Sequence, residues 1–492
     1  MKKQQNIVVI GAGLAGIAVA LRLRKLGHIV TVLERSSDYG GKLGEIEWNG
    51  FRWDRGPSLF TEPRLIDELF TLFGKNPRDY FNYVPWQTAC TYYFDDQEPI
   101  HFYTDHNDLK TELSEKLSPQ LAEKTIQYIE ESRSTYQRIG TFFTDNPQPG
   151  TGDLFRKELL VRYPHFLSSK MRKTLHSYNE HKLGHRKLVQ VFDRFGTYNG
   201  SDPFRMSGLY SMIPHLEHND GTYFPEKGMR SIVHALFRLA VENGIEFRFG
   251  QQVQSATPLN DFYYSIRTNN DLLFADKLVC AIDHLPFYKH ILNDQKQYER
   301  YARQERSSSA LVFYWAVDRV FPKLGLHSIF FSSDYRKEFA EIFGSKTLPS
   351  EPTIYVHISS MVSRDDAPEG SQNWFVMINV PAGVVPDEVQ KEALRAFILR
   401  RIGDQLGVSL SKHILFEETW DAAGIEESTG SYGGALYGAS SNGKLAALKR
   451  HGNKNKHYRN LYFCGGTVHP GGGIPLVLRS ARIVQQLIDH ES

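Results

Sequence analysis
Three glycines near the N-terminus have the spacing of a phosphate cradle. In "NIVVIGAGLAGIAVALRLRKLGHIVTVLER", Gly11, Gly13 and Gly16 form G-x-G-x-x-G, with the small Ala15 inside the pattern. Gly11 permits a tight turn, Gly13 lets backbone approach a pyrophosphate, and Gly16 lets a helix pack on a strand. The apolar run Ile7–Ile10 reads as a buried parallel strand. A helix over 14–26 aims its N-terminal N–H groups at the phosphates, and Gly27 ends it. "HIVTVLE" then supplies a second strand closing on Glu34, 18 residues after Gly16, followed by Arg35. There a carboxylate can accept both ribose hydroxyls of an adenosine, which argues against a 2′-phosphate and so against NADP.

A second bare stretch lies near the other end. "CGGTVHPGGGIPLVLRSARIV" (464–484) packs five glycines and two prolines into its first dozen residues, then turns apolar. Pro475 suits an early helical position, so the segment reads as a loop feeding a helix. Between the two comes "RSSDYGGKLGEIEWNGFRWDRGPSLF", with Gly40–Gly41, Lys42, a hairpin about Asn49–Gly50, and then Asp54 to Ser58. By itself this could be an ordinary hairpin at a sheet edge. In this order, however, the motifs resemble the FAD-binding half of glutathione-reductase and amine-oxidase type flavoproteins. The resemblance places Gly41 and Lys42 along the ribityl and pyrophosphate, and Gly56, Pro57 and Ser58 beside the isoalloxazine. It also gives the strand from Val253 to the adenine, and Gly466, Gly473 and Ile474 to the second half of the site.

Those elements need a scaffold. At 492 residues the chain exceeds one ordinary core, and 41% hydrophobic with 23% charged residues is ordinary globular composition. A net charge of +2 excludes a strong pull toward nucleic acid. Aromatics at 13% fit either large cores or an extended apolar ligand tunnel. Cys90, Cys280 and Cys464 lack metal-type spacing, so no metal is expected and a reducing, cytoplasmic setting fits. The apolar N-terminal run is interrupted by glycines and does not read as a signal peptide. Without about 18 uninterrupted apolar residues, no transmembrane span is expected, whereas contact with a membrane surface stays open.

The expected fold is α/β of mixed α+β character. A Rossmann-type FAD-binding domain would be assembled from 1–70, 223–300 and 415–492. The inserted segments 71–222 and 301–414 would form a substrate-binding domain, a sheet with a helical lid. Charge-patterned helices such as "LAEKTIQYIEES" mark the first insert, and strands such as "SALVFYWAV" and "NWFVMINVP" mark the second.

With both ends in view, the chain resembles the bacterial phytoene desaturase family of carotenoid desaturases over nearly its full length. The resemblance rests on "FDRFGTYNGSDPF" (192–204), "GTYFPEKGM" (221–229), "LYFCGGTVHPGGGIP" (461–475) and "SAR" (480–482). "GSYGGALYG" (430–438) and the Gly-Gly form of the terminal motif point within it to hydroxycarotenoid 3,4-desaturases. It implies FAD, a long apolar C40 carotenoid and hydride transfer to flavin N5. It also implies peripheral attachment to the inner face of the cell membrane and reoxidation by an acceptor such as quinone or oxygen. Asp193 and Arg194 of "FDR" are the candidate catalytic pair, with a structural salt link as the alternative. His469 is either a proton carrier or a cap on the glycine loop, and Cys464 has no CxxC partner. Two departures leave the acid–base residue open: "AIDH" puts Asp283 where Ser-Asn-Ala-Asp is usual, and "LGHRKL" offers His185 and Arg186. Competing activities are phytoene desaturation and carotenoid isomerisation, then a flavin amine oxidase or a non-catalytic prenyl-lipid escort.

Overall fold
A computed structural model describes residues 3–95, 98–148, 169–259 and 263–491. Five short strands form a parallel sheet in the order Leu461–Phe463, Lys277–Cys280, Asn6–Ile10, Ile29–Leu33, Glu246–Arg248. The Asn6–Ile10 strand shows why it reads as continuously apolar. Ile7 and Val9 pack with the helices Leu14–Lys25, Arg230–Glu242 and Ile474–Glu491. Val8 and Ile10 face the other way, onto the antiparallel sheet Val253–Leu259, Tyr263–Thr268, Leu272–Ala275. Successive side chains leave opposite faces of a strand, so a sheet covered on both sides needs apolar residues at every position.

A second sheet has seven strands in the order Ile414–Trp420, Ser309–Val317, Gln372–Val380, Ile354–His357, His327–Phe330, Thr88–Tyr93, Ile100–Tyr103. All pairs are antiparallel except His327–Phe330 with Thr88–Tyr93. All nine residues of Ser309–Val317 are buried. One sheet face packs on the helix Glu388–Leu406 through Leu394, Ile398 and Ile402. The hairpin Glu45–Trp48/Phe51–Asp54 turns through Asn49 and Gly50, both at positive φ, and lays Ile46, Phe51 and Trp53 against Ala310, Val312 and Tyr314 of the same sheet. It therefore ties the nucleotide-side loops to the larger sheet.

One boundary differs from the expectation. Residues 415–420 belong to the seven-stranded sheet, because Ile414–Trp420 pairs with Ser309–Val317. Glu417 on this edge strand accepts from Trp315 Nε1 at 2.6 Å and Arg395 Nε at 2.7 Å, which anchors it there. The helices His106–Lys116 and Pro119–Thr135 lie in the first insert. Part of that insert, 149–168, falls outside the described residues.

Candidate functional site
Gly13 caps the helix Leu14–Lys25, whose first turn carries no acidic residue, so its N–H groups are free to receive an anion. Gly16 is required by contact: a Cβ there would sit 1.8 Å from the Gly11 carbonyl oxygen. At the end of the second strand, Glu34 accepts from the Ala12 N–H at 2.8 Å and the Ser36 N–H at 3.0 Å. A carboxylate offers about four lone-pair sites, so two remain for ribose hydroxyls. Gly40 bridges to Gly13 and donates to the Ala12 carbonyl at 2.9 Å, which brings Gly41 and Lys42 beside the glycine loop. The Gln251 N–H, two residues before Val253, donates to the Glu34 carbonyl and so ties that strand's start to the end of the second strand. Arg35 is turned elsewhere and donates to the Glu427 carbonyl.

Beyond Lys42 opens a cavity of about 640 Å³. Gly56, Pro57 and Ser58 line one side, and Gly472 to Leu476 line another. A Cβ on Gly465 would lie 3.5 Å from Ala15 Cβ, so the two glycine-rich ends of the sequence meet. Ile139, Phe143, Ile213, Val312, Phe375 and Met377 give it apolar walls. Gly473 has φ +99°, which side-chain-bearing residues rarely adopt, and an added Cβ would meet nothing within 4 Å. The Gly473 carbonyl accepts from the Val477 N–H at 3.0 Å, so the next helix starts at this rim, with Pro475 in its first turn. Gly466 packs behind: its Cβ would be 3.3 Å from Gly472 Cα. A bare backbone rim, an open helix start and a phosphate cradle at the far end fit an extended dinucleotide carrying a planar ring.

Several polar groups around the cavity are held in place by hydrogen bonds. Lys42 Nζ donates to the Leu436 carbonyl at 2.7 Å; burial lowers its pKa to about 8, and Asp283 partly opposes this. Asp283 caps the Leu285 N–H and accepts from the Tyr432 N–H at 3.1 Å, so it is already engaged. Ser58 Oγ lies 2.7 Å from Tyr355 Oη, which lies 2.8 Å from His327 Nδ1. Burial holds His327 well below the usual imidazole range, with His357 and Arg194 adding to the effect, so it is neutral.

Asp193 and Arg194 do not pair with each other. They end one helix and begin the next helical turn, and consecutive helical residues point about 100° apart. Asp193 bonds His176 Nδ1 at 2.7 Å and Asn179 Nδ2 at 2.8 Å, away from the cavity lining. Arg194 borders the cavity and donates to both Glu217 oxygens at 3.1 and 2.9 Å, with Tyr198 also donating to Glu217. His469 Nε2 is 2.9 Å from the Asn146 carbonyl, and burial lowers its pKa to about 4. Arg186 donates to the Ser333 carbonyl, and neither it nor His185 lines the cavity. Cys464 is buried and its thiol is pushed up to about 12.

Other cavity residues escape motif reading. Tyr355 and Glu338 lie in unremarkable insert sequence, and Arg450 looks like one more charge in a basic run. Only their burial around one space marks them out. Among the described residues no group of His, Cys, Asp and Glu side chains could hold a metal ion.

Two glycine-rich ends that meet, beside an apolar cavity walled by the second sheet, are the features of a flavin-binding oxidoreductase. The chain belongs to the flavin-containing amine oxidoreductase family, which matches residues 14–488. It is 42% identical over 488 residues to 1-hydroxycarotenoid 3,4-desaturase of Flavobacterium sp. (strain P99-3), covering 99% of each chain. It is 28% identical over 491 residues to 4,4′-diapolycopene oxygenase of Methylomonas sp., covering 98% of each. In fold it is similar to cyclohexylamine oxidase from Brevibacterium oxydans IH-35A, with TM-score 0.63, 13% identity and 99% of each chain covered. The cofactor is FAD.

Proposed function
We propose that this protein is an FAD-dependent carotenoid desaturase. It removes two hydrogens from adjacent carbons of a C40 polyene, acting on the 3,4 bond of a 1-hydroxylated acyclic or γ-carotene-type end. The observation that carries this is the apolar cavity opening directly onto the glycine rim at Gly472–Gly473, and the full-length likeness to a 1-hydroxycarotenoid 3,4-desaturase supports it. FAD, when bound, supplies the hydride acceptor.

The chain's own residues do the rest. The phosphate end rests on Gly11, Gly13 and the helix behind them, and Glu34 takes the ribose. Val312, Phe375 and Met377 align the polyene and exclude water from the rim. Ser58, Tyr355 and His327 form a continuous hydrogen-bonded run beside Pro57, which fixes the Ser58 hydroxyl at the cavity wall. The Arg194–Glu217 pair is a buried charge pair that shapes the wall, and Asp193 is a support behind it.

No described helix is long and apolar enough to cross a membrane. Substrates that partition into lipid nevertheless favour a peripheral mode, and the cavity edge suits it. Lys444 and Leu445 both line the cavity and are exposed, Leu445 at 47%. Leu445→Ser is expected to reduce sedimentation with anionic liposomes.

Expression in carotenoid-producing cells, with chromatography and mass analysis of the pigments, tests the reaction. Loss of two hydrogens from a 1-hydroxycarotenoid is the expected result. Desaturation of phytoene without any change in hydroxylated substrates would reject the 3,4 assignment, and gain of an oxygen atom would reject desaturation itself.

A further inference from the structure
A guanidinium is expensive to bury without a carboxylate. Arg22, Arg194 and Arg479 are buried, and each holds a glutamate: Glu68, Glu217 and Glu62 respectively. Arg450 is buried to 6% exposure, and among the described residues it has no acidic partner. Its donors reach only backbone carbonyls, Nη1 to Tyr437 at 2.9 Å and Gly466 at 3.3 Å, and Nη2 to Ala439 at 2.8 Å. Burial pulls its pKa down; Tyr210 opposes this and Arg306 adds to it.

The position of this charge is specific. Arg450 borders the same cavity as Gly472, Gly473 and Pro475. A Cβ on Gly471 would lie 3.8 Å from Arg450 Cζ. The His469 N–H donates to the His451 carbonyl at 2.8 Å, so the segment carrying Arg450 is clamped to the terminal glycine loop. A polyene cannot neutralise a cation. A flavin ring can, because accepting a hydride leaves it with negative charge at the pyrimidine edge.

We propose that Arg450 is an electrostatic positioning residue of the flavin site, whose buried charge is balanced by the anionic reduced ring. The start of the helix Ile474–Glu491 adds its partial charge in the same direction. The assignment rests on the FAD ring lying at the Gly472–Pro475 rim of this cavity, and it is independent of which carotenoid is used.

Sulfite provides the test, since it adds to the electron-poor flavin and leaves negative charge on the ring. The full-length, FAD-loaded protein is titrated with sodium sulfite and the loss of visible absorbance is followed. The wild-type protein is expected to form the adduct. Arg450→Gln should weaken it about tenfold or more, equivalent to a midpoint potential ~30 mV lower for a two-electron couple. Arg450→Lys, which keeps the charge, should stay within about threefold. A brace that merely ties three carbonyls together would lower thermal stability and FAD retention in both variants. It would leave the sulfite affinity of retained flavin unchanged, and that result overturns the assignment. Should Arg450→Gln lose its FAD, the wild-type protein decides. A midpoint potential above that of free FAD upholds the proposal, and failure to form any adduct overturns it.

Discussion

Glu338 borders the cavity and keeps its proton to a higher pH than an ordinary carboxyl. Its carboxyl is 2% exposed and accepts from the Thr353 N–H at 2.9 Å and the Thr353 hydroxyl at 2.7 Å. Burial raises its pKa from an ordinary 4.5 to about 7; the Thr353 bonds oppose the shift and Glu341 adds to it. The sign for stability follows directly. Below about pH 4.5 the group is protonated in both the folded and unfolded chains, and its contribution is constant. Above that value the unfolded chain releases the proton first, so the folded state binds more protons and unfolding becomes easier as pH rises. The loss ends as pH passes the folded value near 7. With ~1.4 kcal/mol per pKa unit, the full effect is about 3 kcal/mol. Glu338→Gln keeps an acceptor for Thr353 and removes the titration. Chemical unfolding of both proteins at several pH values between about 4 and 8 measures the difference. The variant should gain stability relative to wild type as pH rises through this window, by about 3 kcal/mol at most. A difference between the two proteins that is independent of pH would refute a buried, neutral Glu338.

Three further outcomes follow from the same geometry. Gly473→Ala forces a side-chain-bearing residue to φ +99° and places a methyl group in the cavity, a cost of ~1–3 kcal/mol in strain. FAD affinity, measured by flavin fluorescence on dilution, should fall about tenfold or more while far-UV circular dichroism stays unchanged. Arg194→Met strands the Glu217 carboxylate in the interior and should cost ~3–5 kcal/mol in denaturant unfolding, much of it recovered by adding Glu217→Gln. The thiols of Cys90, Cys280 and Cys464 are buried, and burial pushes each well above its usual range. Alkylating reagents at neutral pH should therefore label none of the three until the protein unfolds.

The Asp193–Arg194 dyad illustrates how adjacency in sequence misleads. The "FDR" motif suggests a pair, but the helical step turns the two side chains apart. Each is satisfied by a residue from elsewhere, His176 with Asn179 in one case and Glu217 in the other. A salt link between sequence neighbours on a helix is geometrically disfavoured, whatever the motif suggests. Arg35, expected beside the cofactor, donates to the Glu427 carbonyl.

The sequence alone determined what depends on short-range geometry. Glycine spacing, an apolar run and a terminal acid define a strand–turn–helix–strand unit, because each requirement is met within about 30 residues of chain. The Asn49–Gly50 hairpin and the helix launched past Gly473 were legible for the same reason, as turn chemistry and proline placement are local. Tertiary structure decided whatever needed distant segments to meet. Glu338 is an ordinary helical acid until burial raises its pKa to about 7. Tyr355 and His327 come from paired strands, 28 residues apart. Arg450 sits in a basic run, and only the fold shows its charge buried beneath the glycine loop without a counter-ion among the described residues. Desolvation belongs to the space around a group and not to its neighbours in the chain, so the residues that set this cavity's electrostatics carry no motif.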